Sequence, residues 1–450
     1  MGFRPVLLWS DILIYALLAG GGVWLWLAWR REYWRTAFRQ VVPNRVAMLS
    51  FGILCLYAAV AFLDTLHFKS VSPGDGSGGR VTSVLDLLCG SLRDRTETTY
   101  SAPFATHSFS MVVVWREGRQ VREYPRLRHA AVRLANPAEQ AAADIRDRAL
   151  CGLACGLGVG GLLFLSCWLY RRRSASPSAR LGAGGYWAAG FLTVVALLAA
   201  EAVALNCNEG YHVFGTDKAG LDVFYMALKS VRTGLIIGTL TTLIVTPFAI
   251  LFGVLAGWFG GWVDDAIQYV YTTLSSIPDI LLIAAAMLIL QVGLTQEETA
   301  ISADKRLVYL CAIMGITSWT GLCRLIRGEV LKLREVEYVQ AAEAFGIGHV
   351  RIMLRHLVPN VMHIVLISIV LRFSGLVLAE AVLAYVGIGV DPSMHSWGNM
   401  INQARLELAR DPVVWWSLLA AFAFMLGLVL PANLFGDAVR DALDPRLRTR

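Results

Sequence analysis

Charge is scarce in this chain. Asp, Glu, Lys and Arg make up 16% of its 450 residues, against roughly 25% in ordinary soluble domains. The hydrophobic share is 56%. A soluble protein this apolar could not cover its surface with polar groups, so a disordered chain, a fibrous repeat and a typical soluble enzyme are excluded. Metal-ligand spacing is also missing. The eight cysteines fall at 55, 89, 151, 155, 167, 207, 311 and 323 with no CxxC among them, and most lie inside apolar runs. Cys151 and Cys155, one helical turn apart, read as small packing residues. No Gly-Lys pair occurs anywhere, so the chain holds no P-loop for a nucleotide phosphate. The net charge of +7 comes in short clusters between apolar runs, a pattern that does not point to nucleic acid. What is plentiful is Trp and Gly, 14 and 41 residues. Both suit a membrane protein, where Trp sits at interfaces and Gly lets helices approach closely.

A bilayer core needs ~20 mostly apolar residues in helical form. Nine runs qualify, at about 6–29, 46–63, 149–170, 183–205, 231–256, 279–294, 307–325, 362–390 and 413–435. Their continuous apolar character selects helices over the alternating strands of a barrel. The expected fold class is therefore all-α, a polytopic transmembrane protein of about nine spans. The first run is too long for a signal peptide and is followed by Arg30 and Arg31, so it reads as a retained helix. Four basic clusters set the orientation: Arg30–Arg45, Arg171–Arg180, Arg327–Arg355 and Arg440–Arg450. Placing all four in the cytoplasm puts the N-terminus outside and the C-terminus inside. Two stretches resist. Residues 64–148 are Arg-rich yet fall outside, which long loops are free to do. Residues 257–277 fall inside yet hold only Asp264 and Asp265 as charges.

Residues 64–148 form one external insertion. It opens on a flexible Gly/Ser/Pro linker, Ser72–Gly79. Further on, SFSMVVVW at Ser108–Trp115 and the Gln120–Tyr124 stretch suggest two strands around a turn at Glu117-Gly118. The insertion is expected either as a small cap of α/β or β character or as a loose loop. Cys89 and Cys207 both fall on the predicted outer side, where a disulfide could tie the insertion to the spans.

The most informative segment is Glu335–Asn360, EVEYVQAAEAFGIGHVRIMLRHLVPN. Glu335 to Phe345 suits a helix, and Gly346 suits its C-cap because Gly takes the left-handed conformation cheaply. Ile347, Val350, Leu354 and Leu357 then recur at three- and four-residue steps, the pattern of a second, amphipathic helix. Pro359 is expected to stop it. Arg351 and Arg355 fall one turn apart. A rigid two-faced element of this kind can fit a groove on a soluble partner; the plain alternative is an amphipathic helix lying on the membrane. Before the fifth span stands Phe214-Gly215-Thr216-Asp217, then Gly220 and Asp222-Val223. Asp217 is expected to cap a helix starting near Ala219.

These residues resemble a family. Ala341, Ala342, Gly346 and Pro359 match the spacing of the EAA loop of permease subunits in binding-protein-dependent ABC importers, with Gln340, His356 and Val358 as departures. FGTD with Gly220 and Asp222 resembles the signature of the C-type permease of the dipeptide/oligopeptide class, with Leu221 where that signature has Arg. Gly257–Asp264 followed by Ile277-Pro278 looks like its Gly-rich loop. Leu378–Ala381, Gly387, Gly389, Ser396–Met400 and Asp437–Pro445 look like its C-terminal third. The resemblance implies a permease core over 183–450, with coupling loop 335–360. The remainder divides into two extra spans at 1–63, the insertion at 64–148, and a third extra span with a basic loop at 149–182.

The same resemblance implies an ATP-driven importer in the bacterial inner membrane. The chain would be a non-catalytic subunit lying in the lipid bilayer. Its partners would be a second permease subunit, two ATPase subunits and an external solute-binding protein, with no nucleic acid. Docking on the ATPase would fall to Ala341, Ala342, Gly346, Val350, Arg351, Arg355 and Pro359. The external signature would be Gly215, Thr216, Asp217, Gly220 and Asp222. No cofactor or metal is expected in this chain; ATP and Mg belong to the partner ATPases. Arg372 and Glu380 are charges inside a span, where charge is costly and usually faces a bundle interior or a watery path. They read as pathway or gate residues, or as structural pairing with a neighbouring helix or backbone. Two other classes stay open at this point: an ion-driven secondary transporter, with Glu380 as its one candidate coupling carboxylate, and a membrane scaffold or sensor.

Overall fold

A computed structural model describes residues 2–30, 41–71, 81–116, 119–132, 134, 136–174, 184–293 and 300–443. The Ser72–Gly79 linker, the Glu117-Gly118 turn and the basic residues Arg31, Arg35, Arg39, Arg180, Arg446, Arg448 and Arg450 lie outside the described residues. The architecture is all-α, with little sheet. Among the described residues six helices are long and apolar enough to cross a bilayer, and two bent helix pairs raise the count to eight if each is one span. The first expected run is the 21-residue helix Trp9–Trp29. Lipid offers no partner to backbone N–H and C=O groups, so apolar runs of this length close their hydrogen bonds within the helix.

The chain divides into two compact units. The first contains residues 1–7, 38–234 and 395–435. In it, helices Arg45–Thr65, Pro137–Ser174 and Gly184–Asn208 pack together. Glycine makes the approach close. A Cβ on Gly156 would lie 2.4 Å from the Ala199 Cα, and one on Gly52 would lie 2.9 Å from the Gly190 carbonyl. The Gly184–Asn208 helix thus takes its close contacts from spans outside the expected core. The helix of the third expected span begins at Pro137 rather than near 149. Within the insertion, Val112–Arg116 pairs antiparallel with Arg119–Glu123, as the sequence suggested. A second sheet joins Gly2–Pro5, His67–Val71 and Val81–Ser83. Cys89 and Cys207 are both buried free thiols, so no disulfide ties the insertion down. Cys207 turns instead to the Ile145 carbonyl, 3.9 Å away.

The second unit contains residues 8–37, 235–394 and 436–450. Its helices include Gly261–Ser275, Asp279–Gly293, Ala300–Thr317, Thr320–Arg334 and Glu337–Ala344, and the 37-residue His349–Tyr385. Residues 257–277 are therefore mostly helix, not loop. One apolar core gathers Ile237, Met287, Leu307, Met314 and Leu383. A second gathers Trp319, Ile326, Val330, Val339, Ile352 and Leu357. That second core is the bed on which the 335–360 element lies.

Candidate functional site

The element starts with an eight-residue helix, Glu337–Ala344. Val339 and Ala342 turn into the core while Ala341 stays exposed. Gly346 ends it at φ +76°. The Gly346 N–H bonds the Glu343 carbonyl at 2.9 Å and the Ile347 N–H bonds the Ala342 carbonyl at 3.1 Å. These are the two bonds of a Schellman cap, so the expected C-cap is present.

Pro359 does not stop the next helix. His349–Tyr385 runs unbroken for 37 residues, with a π turn at Met353–Leu357. There the Val358 N–H reaches back five residues to the Met353 carbonyl. The ring of Pro359 removes one donor and would crowd an α turn; the wider turn makes room for it. The second short helix is thereby the beginning of the long one.

The apolar stripe also divides. Leu357 is buried with Ile352 and Met353, but Val350 and Leu354 are 64% and 66% exposed, and Phe345 is 86% exposed. An open groove of about 1000 Å³ runs along this face, lined by Phe259, His349, Val350, Leu354 and Pro359, with Arg351 and Arg355. Its setting is braced. The Trp258 indole Nε1 donates to His349 Nδ1 at 3.3 Å, and the Asn360 side-chain amide donates to the Tyr338 hydroxyl at 2.8 Å. The sequence reading missed Phe345, His349 and Tyr338. The signal for Phe345 was available: a large aromatic immediately before a C-cap glycine, off the buried face.

The FGTD segment is a seam in the first unit. Gly215 and Gly220 take φ +66° and +74°. A Cβ on Gly220 would lie 1.9 Å from the Glu97 carbonyl, and one on Gly215 would lie 2.3 Å from that of Ser101. Thr216 Oγ1 accepts from the Ser101 N–H at 2.7 Å and donates to the Thr99 carbonyl at 2.9 Å. The Trp416 indole donates to the Thr216 carbonyl at 3.0 Å. Asp217 caps no helix at Ala219. Its Oδ1 accepts from the N–H groups of Ala219 and Leu221, closing a turn. Gly220's left-handed backbone prevents a helix there, and the helix starts at Val223. Its cap is Asp222, whose Oδ1 accepts from the Tyr225 N–H at 3.0 Å. Asp222 also accepts from His212 Nδ1 at 2.7 Å, while His212 Nε2 lies 3.6 Å from Glu97. Burial alone would lower the His212 pKa, but the bond to Asp222 and the nearby Glu97 carboxylate outweigh it and raise it to about 9.

Arg372 donates from Nη1 to the Ser318 carbonyl at 2.6 Å. Glu380 is buried two turns further along the same helix. Among the described residues no cluster of three or more His, Cys, Asp and Glu could hold a metal ion.

Residues 249–449 match the family described as "Binding-protein-dependent transport system inner membrane component". The dipeptide transport system permease protein of Bacillus subtilis is 32% identical over 238 residues, 53% of this chain and 69% of that protein. The oligopeptide transport system permease protein of Haemophilus influenzae is 32% identical over 240 residues, covering 53% and 72%. The glutathione transport system permease protein of Pectobacterium atrosepticum is 31% identical over 245 residues, covering 54% and 76%. The matched stretch holds the whole of the 335–360 element with its Schellman cap and groove. The chain is thus a multi-pass inner-membrane protein and belongs to the permease components of binding-protein-dependent ABC importers, in the dipeptide/oligopeptide class.

Proposed function

We propose that this chain forms half of the translocation path of an ATP-driven importer of short peptides, and that 335–360 is its docking element for an ATPase subunit. The observation that carries this reading is the exposed apolar pair Val350 and Leu354, flanked by Arg351 and Arg355 in a groove of about 1000 Å³. An apolar floor with a basic rim suits an acidic, partly apolar partner surface. The chain itself performs no covalent chemistry. ATP and Mg would sit on two ATPase subunits, a second permease subunit would complete the path, and an external binding protein would deliver the solute. In this reading 335–360 is cytoplasmic, 64–148 is external and the N-terminus is outside. Peptides as cargo follow from the relatives named for dipeptides, oligopeptides and glutathione. Those relatives weigh against an ion-driven transporter or a scaffold.

The geometry supplies a mechanism. The second half of the docking element is the start of the continuous His349–Tyr385 helix, so a displacement at Val350 is delivered to the span without an intervening loop. Closure of the ATPases would tilt that rod and reopen the path on the other side, which is alternating access. Crosslinking from Val350→Cys in the assembled complex tests this. An adduct to an ATPase subunit is expected; adducts only to lipid or to the permease itself would overturn it. Arg351→Glu with Arg355→Glu should uncouple ATP hydrolysis from uptake and leave the spans inserted.

A further inference from the structure

Two bent helix pairs sit in the second unit. One bends by 84° between Gly261–Ser275 and Asp279–Leu290, the other by 40° between Ala303–Thr317 and Thr320–Arg334. The two breaks touch, with Ser275 Oγ 3.3 Å from Thr320 Oγ1 in a hydrogen bond. Arg372 reaches the same place from the middle of His349–Tyr385. Its Nη1 takes the Ser318 carbonyl at 2.6 Å. Its Nη2 would lie 2.7 Å from a Cβ on Gly321, so the guanidinium rests against bare backbone. Asp279 opens the half-helix that follows the other break.

Last-turn carbonyls at a helix break have no intrahelical partner, and a cation is favoured at a helix C-terminus. That alone would explain some donor at this point. It does not explain an arginine, which is costly within a span when a serine or a water could serve. Position explains it. Ser318 stands in the break immediately before the arm that leads into the 335–360 element, Thr320–Arg334, and Arg372 lies on the arm that leads out of it. A bond between them closes the base of that element.

We propose that Arg372 is a positioning residue: it clasps the two arms of the docking element at the paired helix breaks, so that the element moves as one lever about them. The proposal rests on the docking reading for its consequence, but the clasp itself is a property of the chain alone. With the clasp shut, the 320–334 and 349–385 arms turn together. With it open, each arm can follow the ATPase separately, and part of the stroke is lost as relative sliding.

The first test uses the full chain in nanodiscs, with spin labels at Leu325→Cys and Leu378→Cys in a Cys-free background. Both positions are exposed. The unmodified clasp should give a narrow distance distribution. Arg372→Met, which fills the same space but donates no hydrogen bond, should broaden it about twofold, and Arg372→Lys should restore much of the narrowness. An equally narrow distribution in Arg372→Met would overturn the clasp. The second test is the assembled complex, where solute moved per ATP hydrolysed should fall about tenfold in Arg372→Met, the scale of one coupling interaction. Equal loss of hydrolysis and uptake, with the ratio unchanged, would overturn the lever. If Arg372→Met fails to insert, Gly321→Ala displaces the guanidinium while keeping its charge, and a smaller drop in the same ratio is expected; an unchanged ratio there also counts against the lever. Failure of the wild-type chain to bind ATPases would sink the docking reading, and the label distances would still judge the clasp.

Discussion

Arg327 grips Asp264 with two nitrogens, Nε to Oδ1 at 2.5 Å and Nη2 to Oδ2 at 2.6 Å. Gln268 adds a third bond to Oδ2 at 2.9 Å. Residues 257–277 contain no Lys or Arg of their own, and this pair shows where their counter-charge comes from: the neighbouring helix Thr320–Arg334. The pair is mostly shielded from solvent, with side-chain exposures of 12% and 23%. Asp264→Ala should therefore cost about 2 kcal/mol, the scale of hydrogen bonds to a charged group. The check is the thermal midpoint of the purified protein. The swap Asp264→Arg with Arg327→Asp should recover part of the loss, and no recovery would mean that the cost was one of packing.

Gly220→Ala should release the 94–108 segment from the FGTD seam. The new Cβ would meet the Glu97 carbonyl at 1.9 Å, and backbone on both sides leaves nothing flexible to move. The left-handed φ of +74° adds roughly 1–2 kcal/mol of strain. Limited proteolysis should cut the insertion of the variant while its spans remain intact. An insertion as resistant as that of the wild type would show that the seam is not what holds it.

The His212 contacts give the seam a pH dependence with a definite sign. The folded pKa of about 9 lies above the ordinary value of about 6.5. The contribution is therefore whole below about 6.5 and is lost as pH rises through about 9. Glu97 acts at the other end. Burial would raise its pKa, but His212 and the N–H groups of Arg128 and His129 hold it lower. Its contribution is lost as pH falls below the usual carboxylate range. Hydrogen exchange in 94–108 should thus be slowest at intermediate pH, beyond its intrinsic pH dependence, and should quicken toward pH 10. His212→Gln should remove the alkaline acceleration; a variant that keeps it would assign the effect to another group.

Much of this was legible in the sequence, and the misses share a cause. Apolar runs located the spans because lipid leaves an apolar run few alternatives to helix. Gly346 was legible because one residue type favours the left-handed backbone. The break at 276–278 was marked by Pro278 just before the run at 279–294, but that at 318–319 was not, since two uncharged residues inside the 307–325 run carry no periodic signal. Pro359 was misread by a local rule: one missing donor ends an isolated helix, but a packed helix can widen by one residue and continue. Asp217 reads as the cap because Asp is a capping residue type, and it is the left-handed backbone at Gly220 that moves the helix start to Val223 and the cap to Asp222. The stripe Val350–Leu354 shows a limit of periodicity, which marks an apolar face without saying whether the chain itself covers it.

Gly346 makes the sharpest forecast for the docking element. Its φ is +76°, and a Cβ placed there would meet nothing within 4 Å. Any effect of substitution is therefore one of backbone conformation, not of a clash. Gly346→Val should cost about 1–2 kcal/mol locally by driving the cap out of the left-handed region. The bonds from Gly346 and Ile347 back to Glu343 and Ala342 would then be lost, and the angle between Glu337–Ala344 and the start of His349–Tyr385 would change. Phe345 and Val350, exposed on either side of that angle, would then change their placement relative to each other. The expected result is normal insertion with weak ATPase co-purification. Gly346→Asn separates conformation from contact, because Asn tolerates the left-handed region while adding a larger side chain than Ala. ATPase binding should rank Gly, then Asn, then Ala, then Val at this position. Equal binding by Asn and Val would indicate that the added side chain, and not the cap, is what the partner senses; full binding and transport with Val would refute the role of the cap altogether.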